Sequence, residues 1–65
     1  TMNGDWYCYV NGTHAVLHMA PTEELAIEWC RQQMRLWLAC GFAVPEYRVQ
    51  YNRAGEPAKP VTLDS

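Results

Sequence analysis

Residues 22–40 constrain the fold most, because they predict one long amphipathic helix with an unusually wide apolar surface. Placed at about 100° intervals around a helical wheel, the apolar side chains cover an arc of roughly 220°. Gln33 is the one polar residue in this arc. A surface helix that faces a single core needs a narrower apolar stripe. The excess therefore predicts a second packing partner, either another copy of the chain or a different protein.

Both ends of this helix are marked in the sequence. Thr22 is a suitable N-cap, and the two glutamates that follow it lie favourably against the positive end of the helix dipole. Gly41 suits the left-handed position that ends many helices. The next residue, Phe42, is then expected to fold back onto Trp37 in a Schellman motif.

The Asn-Gly dipeptide at residues 11–12 predicts a type I′ turn that joins a strand at Trp6–Val10 to a strand at residues 13–19. The turn fixes the strand register and places Cys8 opposite Ala15. One face of this hairpin is the predicted core face and carries Trp6, Cys8, Val10, Ala15, Leu17 and Met19. The other face carries Tyr7, Tyr9, His14, Val16 and His18.

A third strand is predicted at residues 46–51, where apolar and polar side chains alternate after Pro45. The predicted fold class is α+β, with a three-stranded antiparallel or mixed sheet in ββαβ order and one amphipathic helix packed on one face. Residues 1–52 form the predicted domain, and residues 53–65, which contain glycine and prolines, form an extended or mobile tail. The less favoured alternative is a short fourth strand at residues 61–63.

Composition argues against several classes of protein. The chain has 65 residues, a net charge of -2 and only five Lys or Arg, which is too few for the basic stripe typical of nucleic-acid binding. The beginning of the chain lacks the features of a signal peptide, and the helix is not apolar throughout as a membrane span would be. Three cysteines, an odd number, fit reduced thiols better than a disulfide framework. We expect a cytoplasmic protein.

No catalytic or metal-binding motif is evident. His14 and His18 have a spacing typical of zinc ligands on a helix, but on the predicted strand they would lie roughly 13 Å apart. A Cys–His nucleophilic pair is not expected either, because Cys8 faces the predicted core and both histidines face away from it. We therefore expect neither an enzyme nor a bound metal or cofactor.

Two surfaces are candidates for binding a protein partner. The apolar arc of the helix divides into two flanks, one expected to meet the sheet and the other the partner; the alternative is that the tail or residues 42–44 cover the excess. The flank predicted to bind the partner comprises Ile27, Cys30, Met34, Trp37 and Leu38. The second surface is the predicted outer sheet face with Tyr7, Tyr9, His14 and His18, which is either an ordinary solvent-facing surface or a recognition surface.

The sequences of residues 22–29 (TEELAIEW), at the start of the helix, and of residues 41–44 (GFAV) resemble those of small RNA-polymerase inhibitors of podophages. The resemblance implies a protein of a phage or mobile element that binds a host factor, and it transfers no residue roles. The expected function is a small non-enzymatic protein-binding module, a homodimer assembled through its helix, that acts as an adaptor or inhibitor of a larger protein. The alternative is a single-stranded nucleic-acid-binding module that uses the aromatic sheet face.

Overall fold

The computed structural model describes residues 5–13, 15–52 and 56–63 and has five secondary-structure elements. In chain order these are β1 (Trp6–Val10), β2 (His18–Ala20), α1 (Glu23–Ala39), β3 (Tyr47–Tyr51) and β4 (Lys59–Val61). All strand pairs are antiparallel, and the strand order is β2-β1-β3-β4. The α+β class with one helix on an antiparallel sheet is confirmed. The predicted number of strands is wrong, because the sheet has four strands and the element order is ββαββ.

The core lies between α1 and one face of the sheet. The helix contributes a narrow stripe of Ala26, Cys30 and Met34, which are spaced four residues apart and therefore lie on one side of the helix. Small side chains in this layer let the helix lie close to β1. The Cys8 thiol donates a hydrogen bond to the Ala26 carbonyl at 3.5 Å. The buried residues are Cys8, Ala20, Ala26, Cys30, Met34, Tyr47, Val49 and Val61.

The helix ends follow the sequence prediction. The Thr22 hydroxyl accepts a hydrogen bond from the Leu25 N–H at 3.2 Å, which confirms the N-cap. At the other end Gly41 has φ of +83°, its N–H donates to the Leu38 carbonyl, and the Phe42 N–H donates to the Trp37 carbonyl. These two hydrogen bonds define the predicted Schellman motif. The side chains of Trp37 and Phe42 also meet, with ring centroids 5.8 Å apart.

The turn after β1 differs from the predicted type I′ hairpin. The Thr13 N–H donates to the Val10 carbonyl at 3.1 Å, and Gly12 has φ of +91°. Among the described residues only glycines have a positive φ. Asn11 therefore lacks the left-handed conformation that a type I′ turn requires. Asn11 instead donates its N–H to the carbonyl of Glu46 at 2.8 Å. Glu46 directly precedes β3, so this hydrogen bond extends the pairing of β1 with β3 by one residue. β2 therefore begins only at His18.

This later start changes the register of β2 by three residues. Trp6 pairs with Ala20, whereas the predicted register placed it opposite Leu17. Because side chains alternate between the faces of a strand, an odd shift moves each β2 residue to the opposite face. Ala20 is buried under the helix, and His18 lies on the helix side. The predicted core positions Ala15, Leu17 and Met19 are exposed, so this part of the predicted core is wrong.

The predicted tail contains β4, which pairs with β3 and places Val61 opposite Tyr47. Val61 is buried, and the Arg31 Nε donates to the Thr62 carbonyl at 3.0 Å, so this segment contacts both the sheet and the helix. The predicted domain boundary at residue 52 is therefore wrong for residues 59–61. The strand is only three residues long and contains Pro60, which hides its pattern in the sequence but is tolerated on an edge strand.

Candidate interaction surfaces

The helix is longer than the sheet that supports it. Its 17 residues span about 25 Å at 1.5 Å per residue. β1 and β3 have five residues each and span about 17 Å. Met34 is the last buried residue of α1, and every residue from Arg35 to Ala43 is exposed. The C-terminal end of the helix therefore extends beyond the sheet.

This overhanging end carries large apolar side chains on more than one side of the helix, and together we call them the end patch. Leu36 is 58% exposed, Trp37 39%, Leu38 58% and Phe42 60%. Trp37 is held in place, because its Nε1–H donates to the Tyr47 hydroxyl at 3.0 Å and its ring packs edge-on against Phe42. A shallow groove runs along the patch and is lined by Gln33, Leu36, Trp37, Cys40, Phe42 and Tyr47.

The end patch has no formal charge. Residues 36–45 (LWLACGFAVP) contain no Asp, Glu, Lys, Arg or His, although the chain as a whole is 18% charged. Charged residues flank this stretch at Arg35 and Glu46. An apolar centre with a polar border is the usual composition of the buried part of a protein interface.

The predicted partner-binding flank of α1 is partly buried and partly exposed. Cys30 and Met34 belong to the core, where a partner cannot reach them, so the assignment of these two residues to a binding surface is wrong. Ile27 is half-buried against the core. Trp37 and Leu38 are exposed in the end patch. Sequence periodicity identifies the direction of these side chains but does not show where along the helix the sheet ends.

The helix-free face of the sheet forms the second surface. β1 and β3 pair so that Tyr7 lies opposite Gln50 and Tyr9 lies opposite Arg48. The Tyr9 hydroxyl donates to the Gln50 Oε1 at 3.3 Å, and the Arg48 guanidinium pairs with Glu46 at 3.4 Å. These side chains line an open groove that includes Tyr7, Tyr9, Asn11, Val16, Arg48 and Gln50. Arg48 was missed in the sequence because only the pairing of β3 with β1 brings it beside Tyr9.

His18 does not join this groove as predicted. His18 lies on the helix side, where its ring stacks on Trp29 with centroids 4.7 Å apart and an interplanar angle of 3°. His14 lies outside the described residues. Cys8 and His18 are direct cross-strand neighbours on the same face, which corrects the prediction that they face apart. The Cys8 thiol nevertheless donates to the Ala26 carbonyl, so this contact does not provide a nucleophile with a base.

Within residues 5–13, 15–52 and 56–63, no group of three or more His, Cys, Asp or Glu is placed to hold a metal ion. The same residues contain no helix with the length and apolar character needed to span a membrane. No protein-family model, curated protein or solved structure matches this chain.

Proposed function

We propose that this chain is a small non-enzymatic protein-binding module that forms a homodimer through the end patch. The observation that supports this proposal is the exposure of Leu36, Trp37, Leu38 and Phe42 on a helix end that the sheet does not cover. Exposed apolar side chains gathered in one place are typical of interaction sites, whereas single exposed ones are ordinary. Trp is enriched among the residues that contribute most to binding energy.

The composition of the end patch favours a second copy of the chain as its occupant. In a twofold contact the same surface meets itself, so a charged patch would bring like charges together. Residues 36–45 carry no charge and therefore contribute no such repulsion. Trp37 is already fixed by Tyr47 and Phe42, so little side-chain entropy would be lost when a partner packs on it.

The dimer would leave the helix-free sheet face available to a further partner, which suits an adaptor or an inhibitor of a larger protein. The proposal that a phage or mobile element encodes such a protein rests on the resemblance of residues 22–29 and 41–44 alone. A cytoplasmic location is likewise a proposal, based on the composition of the chain.

The test is the mass in solution, measured by sedimentation over a wide range of protein concentration. The wild type should rise from the monomer mass to twice that mass as concentration increases. Leu36→Glu and Leu38→Glu each place a charge in the end patch, on different sides of the helix, and should keep the protein monomeric. If only one substitution has this effect, it identifies the side of the helix that forms the contact.

Leu25→Glu is the matched control, because Leu25 is also an exposed leucine of α1 but lies at the opposite end of the helix. This variant should dimerise like the wild type. Circular dichroism should show that all three variants remain folded. A wild-type mass that stays at the monomer value at every concentration would contradict the proposal. Folded Leu36→Glu and Leu38→Glu variants that both still dimerise would also contradict it.

A second candidate function is the binding of single-stranded nucleic acid on the helix-free sheet face. The observation that favours it is the placement of Arg48 directly beside Tyr9, because stacking on aromatic rings combined with a cation for the phosphate is the usual recognition mode. Glu46, which pairs with Arg48, and the net charge of -2 both oppose it.

Fluorescence anisotropy with a labelled single-stranded oligonucleotide at low salt tests this candidate. Binding should weaken with added salt, and both Tyr9→Leu and Arg48→Gln should reduce it. Arg35→Gln removes the same charge from an exposed position on the helix and should leave binding unchanged. An anisotropy that does not rise at low salt would eliminate nucleic acid as the ligand and leave the dimer proposal intact.

A further inference from the structure

The groove on the helix-free sheet face, which we call the sheet groove, has the size of a small-molecule site. Its volume is about 480 Å³, within the range of roughly 300–1,000 Å³ that is typical of ligand pockets. Tyr7 and Tyr9 lie two residues apart on β1, and both side chains line the groove. Val16 and Ala58 add further apolar surface. The groove therefore offers aromatic and apolar contacts to the body of a flat ligand.

Arg48 is the only charged residue among the described residues that line the sheet groove. It lies on β3 directly opposite Tyr9. Its Nε atom is buried and has no hydrogen-bond acceptor within the described part of the chain. Buried donors without an acceptor are rare in folded proteins, because they lose their hydrogen bonds to water and gain none in return. A ligand that brings an acceptor to this atom would restore the missing bond.

The neighbouring side chains leave this edge of the guanidinium weakly paired. Glu46 contacts only the Nη2 atom of Arg48, at 3.4 Å, whereas a strong bond between a guanidinium and a carboxylate is about 2.7–2.9 Å long. Glu46 is also exposed, so its carboxylate can return to water when a better partner arrives. The Gln50 amide is already engaged, because it accepts from the Tyr9 hydroxyl and donates to the Glu56 carbonyl.

We propose that the sheet groove is a binding site for a small aromatic carboxylate. The ligand carboxylate replaces Glu46 at the Nε and Nη2 atoms of Arg48, and the aromatic ring of the ligand lies against the tyrosine side chains. Two parallel N–H···O bonds are the geometry in which arginine recognises a carboxylate. A ligand with one negative charge matches the single arginine of the groove, whereas a phosphate dianion would call for further cations.

The inference does not depend on the proposed dimer, because no residue lines both the sheet groove and the groove of the end patch. The test titrates isotope-labelled protein with naphthoate, a flat aromatic carboxylate, and follows proton–nitrogen NMR spectra. The Nε–H of Arg48 gives its own signal, which Arg48→Lys identifies by its loss. We expect this signal and the backbone signals of Tyr7 and Tyr9 to shift together and to saturate. Naphthamide, the uncharged analogue, should bind about tenfold more weakly, because it lacks the charge that strengthens these hydrogen bonds.

Three variants separate recognition by Arg48 from a general effect of charge. Arg48→Lys keeps the charge but loses the paired N–H groups, and should weaken naphthoate binding about tenfold. Arg35→Lys is the matched control at an exposed position of the helix and should leave binding unchanged. Glu46→Gln removes the competing carboxylate and should tighten binding severalfold, a gain that a damaged fold could not produce.

Several results would overturn the proposal. One is a set of signals that stay in place, or that shift in proportion to naphthoate without saturating, as in non-specific association. Equal affinities for naphthoate and naphthamide would also overturn it. If Arg48→Lys does not fold, the acid–amide comparison on the wild type and the Glu46→Gln titration decide the question. An oligonucleotide that binds the groove where naphthoate does not would assign the groove to nucleic acid, and none of these results would alter the mass in solution that tests the dimer.

Discussion

The two parts of α1 both carry large apolar side chains, but these side chains lie in opposite environments. From Glu23 to Met34 the helix lies on the sheet, and its inner stripe is buried. From Arg35 onward the same helix carries two leucines and a tryptophan that are exposed to solvent. The difference arises from the support beneath each part and not from the side chains themselves, because the strands end before the helix does.

This contrast separates two roles that look alike in a helical wheel. An apolar residue over the sheet stabilises the monomer, because it is removed from water on folding. An apolar residue beyond the sheet contributes little to the monomer and is available to a partner. The angle around the helix identifies candidates for both roles, and the position along the helix distinguishes them.

The largest expected effect comes from truncating the supported part of the helix. Met34→Ala removes a buried side chain from the core and should lower the free energy of unfolding by about 2–5 kcal/mol. Leu36→Ala, two residues later, removes an exposed side chain and should change it by no more than about 0.5 kcal/mol. Urea unfolding measures both values, at protein concentrations low enough to keep the chain monomeric.

At high protein concentration the losses of unfolding free energy of these two variants should become more similar, because Leu36→Ala would then also weaken the dimer. Met34→Val provides a graded control and should lower the free energy of unfolding by less than Met34→Ala does. Equal losses for Met34→Ala and Leu36→Ala at low concentration would show that the sheet supports the helix along its full length, which would remove the distinction between its two parts.

The next effect concerns the turn that ends the overhanging part. Gly41→Ala should lower the free energy of unfolding by about 1–2 kcal/mol, because φ of +83° is unfavourable for a residue with a Cβ. An added Cβ would meet nothing within 4 Å, so the cost is backbone strain and not a clash. Gly41→Asn is the control and should cost less, since Asn tolerates this conformation. A neutral Gly41→Ala in urea unfolding would show that the Schellman turn contributes no stability.

Local signals in the sequence predicted the helix and its ends correctly. Thr22 and Gly41 act through hydrogen bonds to residues that lie within one or two turns, so their effect is readable without knowledge of the fold. The exposure of Trp37 and Leu38 followed from the width of the apolar arc, which one sheet face could not cover. The alternation of residues 46–51 likewise identified β3 and its buried face.

The pairing of distant segments could not be predicted in the same way. The Asn-Gly signal was correct for a turn but not for its type, and the resulting shift of three residues moved His18 to the helix side. β4 contains Pro60 and lacks any periodic pattern, so only its pairing with β3 identifies it. The groove of Tyr9 and Arg48 depends on that same kind of long-range register, which no local pattern in this chain encodes.

A smaller effect is expected for the hydrogen bond that fixes the end patch to the sheet. Trp37→Phe removes the donor to the Tyr47 hydroxyl and should cost about 1 kcal/mol in the monomer. Tyr47→Phe removes the acceptor, and a double-mutant cycle with both changes isolates their interaction. A coupling energy near zero in urea unfolding would mean that Trp37 is not held in place, which would weaken the argument that the patch is preorganised for a partner.

The smallest effect should come from the ion pair at the supported end of the helix. The Lys59 Nζ lies 3.0 Å from the Glu23 carboxylate and joins β4 to the first turn of α1, but both side chains are partly exposed. The same Nζ lies 5.6 Å from the centroid of the Trp6 ring, so Lys59→Met removes both the ion pair and this cation–π contact. It should cost less than about 1 kcal/mol, because exposed charges gain little over their hydrated state. The difference should vanish in high salt, and Lys59→Arg should match the wild type. A loss as large as that of Met34→Ala, measured in the same urea series, would mean that charge and not apolar packing holds the supported part of the helix on the sheet.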